Sequence, residues 1–107
     1  MPWQIHVCLQ DLATVLWPAG FVLAQHVASV CGHRWRGKTV LELGAGIGVP
    51  SLAAAECGAV VTATDLEHRA LALIEANALD NGLGVTSRRF DWSDDVMRRD
   101  LVAVRKA

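Results

Sequence analysis

Residues 37–67 read GKTVLELGAGIGVPSLAAAECGAVVTATDLE. Thr39 to Leu43 is a short run of β-branched residues and leucine between Gly37 and Gly44, which predicts a strand. Glycines then recur at alternate positions, Gly44, Gly46 and Gly48. Val49 to Cys57 is alanine-rich, with Pro50 in its first turn and Gly58 as its stop, the asymmetry expected of a helix. Ala59 to Thr64, AVVTAT, predicts a second strand. Two carboxylates punctuate the stretch: Glu42 inside the first apolar run and Asp65 just past the second. Strand, glycine turn, helix and strand make a βαβ unit, with parallel strands and a right-handed crossover.

Working outward, Leu66 to Leu79 carries Leu66, Ala70, Leu73, Ile74 and Ala78 at helical spacing, and Asp80 to Gly82 ends that helix. Val85 to Phe90, VTSRRF, predicts a third strand, less apolar and so at an edge. Asp100 to Val104, DLVAV, reads as the start of a fourth. Upstream, Trp17-Pro18 marks a boundary, because proline suits a first helical position. A helix is expected from Pro18 to about Cys31, with Phe21, Leu23, Ala24, Val27, Val30 and Cys31 inward and Gln25, His26 and Ser29 outward. Residues 1–11 are ambiguous, although WQIHVCL alternates enough for a short edge strand. The fold class is α/β: a partial doubly wound, Rossmann-like parallel sheet of three or four strands with flanking helices, in one domain over residues 1–107.

Composition bounds the rest. A chain of 107 residues that is 52% apolar can bury one core. A formal charge of −1 gives no general pull toward nucleic acid or an anionic membrane. Val15 to Ala24 is about half the roughly 20 residues a membrane span requires, and Pro18 and Gly20 interrupt it. Cys8, Cys31 and Cys57 form no CxxC, and with no signal peptide they suggest reduced thiols in an intracellular protein, cytoplasmic or nuclear. His6 with Cys8, and Cys31 with His33, lack zinc-site spacing, so no metal is expected. No serine or cysteine stands in a nucleophile motif.

The glycine turn follows a strand whose carboxyl end is where doubly wound sheets bind ligands. Gly44 and Gly46 allow close backbone approach, and N–H groups opening the next helix favour an anionic group. Asp65 stands where an acid accepts bonds from ribose hydroxyls, or caps the following helix, or both. The spacing is GxGxG rather than the dinucleotide GxGxxG, with Val49 in place of the third glycine of that fingerprint. Glu42 lies two residues before the first glycine, and a buried carboxylate needs a partner. Either a neighbouring backbone group or lysine satisfies it, or a ligand ammonium does, and the amino-acid end of S-adenosylmethionine carries one.

Three blocks, LWPAGFVLAQHV, GKTVLELGAGIGVPSLAAAECGAVVTATD and RRFDWSD, are spread over most of residues 16–94. Through them the chain resembles the seven-stranded class I methyltransferases, and within these the methyltransferase-like protein-lysine methyltransferase family, which also has protein-arginine members. The resemblance implies S-adenosyl-L-methionine as cofactor. It also implies a protein lysine or arginine as acceptor, without nucleic acid or membrane partners. On that basis Trp17 lies over the cofactor, Glu42 holds its methionine amino group, and Gly44, Ala45 and Gly46 wrap its backbone side. Asp65 takes the ribose, and Asp91 and Trp92 flank the adenine. Read from the residues alone, core packing is the preferred reading of Trp17 and Trp92, and Asn77 and Asn81 read as capping and turn residues.

The resembled family builds its acceptor side after a fourth strand, with an acidic and aromatic motif that DLVAVRKA does not supply. Residues 1–107 are therefore expected to form the cofactor-binding half of a methyltransferase domain, with 93–107 an atypical tail, no assignable catalytic residue and little activity alone. A truncated or spliced product, a short cofactor- or partner-binding module, and an enzyme completed by another chain fit in that order. A sheet left uncovered would favour association through its edge. A fragment of a nicotinamide-dependent oxidoreductase is the remaining alternative.

Overall fold

The computed structural model describes residues 3–7 and 17–106, the side chains of 30–32 and 101–106 excepted. The pairing of Cys8 and the inward placement of Val30 and Cys31 lie outside the described residues.

Three parallel strands, β1 (Thr39–Glu42), β2 (Val60–Asp65) and β3 (Val85–Arg89), form one sheet in the order β1-β2-β3. Register runs Thr39 to Val60 across the first pair and Val61 to Val85 across the second. The third strand lies at an edge, as its polar pattern predicts. So does β1, whose outer side pairs with no strand among the described residues. The α/β class and the three-strand count agree with the sequence.

Helix α1 (Pro18–His26) packs on α2 (Val49–Glu56), and α2 packs on β1 and β2, while α3 (His68–Asp80) covers β2 and β3. Every residue from Val49 to Ala54 is buried. Alanines 53 and 54 let α2 sit between sheet and α1 without a thick side-chain layer. Val61 and Ala63 point into this core with Val27, Ile47, Val49 and Ile74. Val60, on the opposite face of β2, is 65% exposed. The sheet is thus well covered on one side and sparsely on the other, where Met97 and Asp100 of α4 (Asp95–Lys106) line a small cleft with Leu41 and Thr62.

Four expectations change. The helix from Pro18 stops being regular at Val27 and continues as a π turn, Val27–Cys31, and a 3-10 turn, Gly32–Trp35. Ser29 Oγ donates to the Gln25 carbonyl at 2.7 Å, a back-bond that bends helices, and Trp35 Nε1 donates to the Val27 carbonyl. Phe21 and Leu23, expected inside, are 45% and 48% exposed, and Leu66, read as the first residue of its helix, precedes α3. DLVAV is helical, not a strand, because Asp94 Oδ1 accepts the Met97 N–H at 3.0 Å and an Asp95–Arg98 ion pair follows. Residues 3–7 join no sheet; their backbone is held by side chains of α3, with Trp3 and Ile5 packed on the core. No helix among the described residues is long and apolar enough to cross a membrane.

Candidate cofactor site

The carboxyl ends of all three strands open on one rim. Between β1 and α2 the chain turns through Gly44, Gly46 and Gly48 at φ of 64°, 57° and 85°, a left-handed backbone that L side chains resist. At Gly48 the requirement is double, since an added Cβ would lie 3.0 Å from Ile74 Cγ1. Gly44 differs: a Cβ there would meet no protein atom within 4 Å.

That open space belongs to two adjoining clefts, both lined by Gly44. One, of about 300 Å³, is bounded by Trp17, Leu23, Glu42, Ala45, Gly46 and Pro50, among others. The other, of about 170 Å³, is bounded by Thr64, Asp65, Leu66, Phe90 and Trp92. Seven of the eight sequence-predicted residues therefore line one continuous rim: Trp17, Glu42, Gly44, Ala45, Gly46, Asp65 and Trp92. Asp91 lines neither cleft. Its Oδ1 accepts both the Ser93 N–H at 2.9 Å and the Ser93 hydroxyl at 2.6 Å. These two bonds hold its carboxyl below the usual range, with a smaller contribution from the Arg89 charge.

Glu42 is held differently. Ser51, buried in the first turn of α2, donates its hydroxyl to Glu42 Oε1 at 2.6 Å, and its N–H bonds the same carboxylate. Glu42 thus caps from across the turn a helix whose own N-cap, Gly48, has no side chain. The reading of an acid satisfied by nearby backbone is realised to that extent. Burial nevertheless pushes the Glu42 carboxyl above its ordinary value, outweighing the Ser51 bonds, and the Asp65 charge pushes the same way. The anion remains under-compensated.

Asp65 braces the turn. Its Oδ2 accepts the Gly46 N–H at 2.9 Å and its Oδ1 the Glu67 N–H at 3.0 Å, while the Thr64 carbonyl accepts the Ala45 N–H at 2.8 Å. Asp65 is not the N-cap of α3; that position is Glu67. Each Asp65 oxygen keeps a lone-pair direction for a further donor. The opening of α2 offers fewer amides than the sequence suggests, because Pro50 has none and that of Ser51 goes to Glu42. Trp17 is the N-cap residue of α1, and Trp92 meets Phe90 edge-to-face at 4.8 Å, leaving each indole about half exposed at the rim.

Two residues that position this site were not read as such. Ser51 is the one hydroxyl among the buried residues of α2, which is the signal that could have found it. Asn77, expected as a cap or turn residue, lies inside α3, fully buried, with its Nδ2 donating to the Ile47 carbonyl of the glycine turn at 3.1 Å. It shares the inward face with Ala70 and Ile74, and that spacing marked it. Asn81 does occupy the C-cap of α3.

A parallel βαβ unit with a glycine turn, an acid before it and an acid after the next strand is the arrangement in which doubly wound folds bind nucleotide-type ligands. A family model described as lysine methyltransferase matches residues 5–105, and the chain belongs to that family, one of S-adenosylmethionine-dependent methyltransferases. The chain is similar to the histone-arginine methyltransferase METTL23 of Rattus norvegicus, 42% identical over 67 residues, 61% of this chain and 27% of that protein. It is similar to the cypemycin N-terminal methyltransferase of Streptomyces sp, 49% identical over 55 residues, 50% of this chain and 22% of that protein. It is also similar to the protein N-lysine methyltransferase METTL21A of Xenopus tropicalis, 39% identical over 70 residues, 65% of this chain and 32% of that protein. The chain thus spans between about a fifth and a third of the length of these curated relatives.

Proposed function

We propose that residues 1–107 bind S-adenosyl-L-methionine and form the cofactor-binding part of a domain that methylates a protein side chain, lysine before arginine. The observation that carries this reading is Glu42, an acid whose carboxyl burial holds above its ordinary value although Ser51 bonds it, lining a cleft with an open glycine turn. A ligand ammonium there would supply the compensation that Ser51 does not. Gly44 supports the fit, since any Cβ would stand in the joined clefts.

In this reading Glu42 binds the methionine amino group, and the backbone of Gly44, Ala45 and Gly46 follows the chain of the amino acid. Asp65 accepts the ribose hydroxyls through its unused lone pairs. Trp92 offers an apolar face to the adenine, Asp91 stands beside it at the strand end, and Trp17 closes the outer side. The bound cofactor supplies a methyl group on a sulfonium, which an unprotonated nitrogen displaces in line. The relatives' names give three different acceptors, a histone arginine, the N-terminus of cypemycin and a protein lysine.

Calorimetric titration with S-adenosylhomocysteine and with NAD tests the proposal. Binding of the first, weakened by Glu42→Gln and lost in Asp65→Ala, is the expected result; a response to NAD alone would overturn it. The outer edge of β1, unpaired among the described residues, favours a second reading, a fragment whose role is to bind another chain. Its signature is a stable complex with a partner protein that Asp65→Ala leaves intact.

A further inference from the structure

Asn77 joins two parts of the molecule that are distant in sequence. Its Oδ1 accepts the His6 N–H at 2.6 Å, and its Nδ2 donates to the His6 carbonyl at 3.3 Å and the Ile47 carbonyl at 3.1 Å. The orientation is forced, since an N–H can only donate and must face the oxygen. One turn on, Asn81 repeats two of these three bonds: its Oδ1 accepts the Gln4 N–H at 3.0 Å and its Nδ2 donates to the Gln4 carbonyl at 2.8 Å, and also to the Asn77 carbonyl at 2.7 Å. Two asparagines four residues apart on a helix therefore clasp alternate residues of an extended strap through backbone groups alone. His6 Nε2 also hydrogen-bonds Asp80 Oδ2, and Trp3 and Ile5 pack on the core.

We propose that Asn77 is a positioning residue for the cofactor site, coupling the docking of residues 3–7 to the shape of the Gly44–Gly48 turn. Its part toward the cofactor rests on the function proposed above; the coupling itself does not. Ile47 lies between the two glycines that set the turn, and its carbonyl is held by a carboxamide whose other hydrogen and oxygen are spent on the strap. Once the strap leaves, Asn77 keeps a buried acceptor and a buried hydrogen without partners, and reorienting to satisfy them releases Ile47. An aspartate would set an acceptor against two carbonyls, and an aliphatic side chain would leave three backbone groups unpaired. Only a carboxamide meets all of them.

The test is amide hydrogen exchange at Gly46 and Gly48 in the cofactor-free chain, read residue by residue. These amides donate to Asp65 Oδ2 and to the Ala45 carbonyl, so their exchange reports opening of the turn. His6→Pro removes the donor to Asn77, and Asn81→Ala removes the clasp on Gln4 together with the Asn81 bond to the Asn77 carbonyl; neither alters the Asn77 carboxamide or the Ile47 carbonyl itself. Each is expected to speed exchange at Gly46 and Gly48 roughly five- to tenfold. In an Asn77→Ala background Asn81→Ala should add nothing at those amides. Should Asn77→Ala fail to fold, the two strap variants still decide. Faster exchange confined to the ends of α3, with Gly46 and Gly48 unmoved, overturns the coupling.

Titration with S-adenosylhomocysteine separates this from the functional reading. Intact binding with unmoved turn amides sinks the coupling alone. Absent binding by the parent chain with accelerated amides sinks the functional reading and leaves the coupling standing.

Discussion

The carboxyl ends of β1 and β3 each carry an acid, Glu42 lining the rim and Asp91 outside both clefts, and the two acids are in opposite states. Glu42 is half-buried, bonded by Ser51, and still pushed up by desolvation. Asp91 receives a hydroxyl and an N–H from Ser93 and is pulled down. The number of hydrogen bonds does not separate them; desolvation does. A carboxylate in water needs nothing from a ligand, whereas one that burial has stripped of water gains from an arriving cation. Identity at the rim is therefore a weaker guide to binding than the charge balance left after the protein's own bonds are made.

The largest effect expected from breaking this comparison falls on the scaffold under Glu42. Gly48→Ala places a Cβ 3.0 Å from Ile74 Cγ1 at a φ of 85°. The left-handed backbone and the overpacked core together should cost about 2–4 kcal/mol in urea denaturation. Gly82→Ala, at a φ of 66° with no atom near, is the matched control and should cost about 1–2 kcal/mol. Equal losses would mean that Ile74 yields and the turn is not wedged on the core.

What the sequence disclosed follows the same division. The βαβ unit was legible because its signals are local: β-branched runs, Pro50 and Gly58 at the helix ends, glycines at alternate positions. Glu42, Gly44, Gly46 and Asp65 were legible through spacing from those elements, whereas Trp17, Ala45 and Trp92 came only through the family resemblance. Hidden were the contacts made by tertiary placement. Ser51 reaching Glu42, Asn77 reaching Ile47, and residues 3–7 lying on α3 instead of pairing as a strand are meetings of segments that periodicity treats separately. DLVAV misled because its composition favours a strand, while the cap that makes it helical, Asp94, sits six residues upstream of Asp100.

Glu42→Gln sharpens the comparison next. Glutamine can still accept from Ser51 but carries no charge for an ammonium. Affinity for S-adenosylhomocysteine should fall about 10–100-fold, the range for a hydrogen bond to a charged group, while urea stability should not fall. The pH dependence follows from the direction of the shift. The folded chain holds the Glu42 proton more firmly than the unfolded chain, so stability declines as pH rises from near 4.5 through the raised value. Glu42→Gln removes that decline. Binding runs the other way in the parent chain and strengthens with pH over the same interval, as the anion forms.

Ser51→Ala and Ser93→Ala treat the two acids alike and should not give like results. Ser51 is buried, and loss of its hydroxyl should cost about 1–2 kcal/mol and move the Glu42 carboxyl further up. Ser93 is exposed, so its loss should return the Asp91 carboxyl toward 3.8 with little change in the urea midpoint. Carbon-detected NMR titration of both side chains reads two upward shifts with different ends, Asp91 returning toward its ordinary value and Glu42 moving further from it. A Glu42 carboxyl at or below its ordinary value in the parent chain would show that hydrogen bonding, not desolvation, governs it.

Asp91→Asn should be the smallest perturbation. Asparagine keeps the Oδ1 acceptor that Ser93 uses, and the side chain lines neither cleft. The stabilising share of the Asp91 charge is present above its ordinary value of 3.8 and is lost as pH falls through the lowered value in the folded chain. The substitution should therefore leave stability near neutral pH almost unmoved and take away only part of the acid-side decline. Affinity for S-adenosylhomocysteine should change less than in Trp92→Ala, because the indole and not the carboxylate bounds the cleft. If Asp91→Asn instead weakens binding as strongly as Glu42→Gln, an acid already satisfied by its own turn is contacting the ligand, and the rule that separates the two strand ends fails.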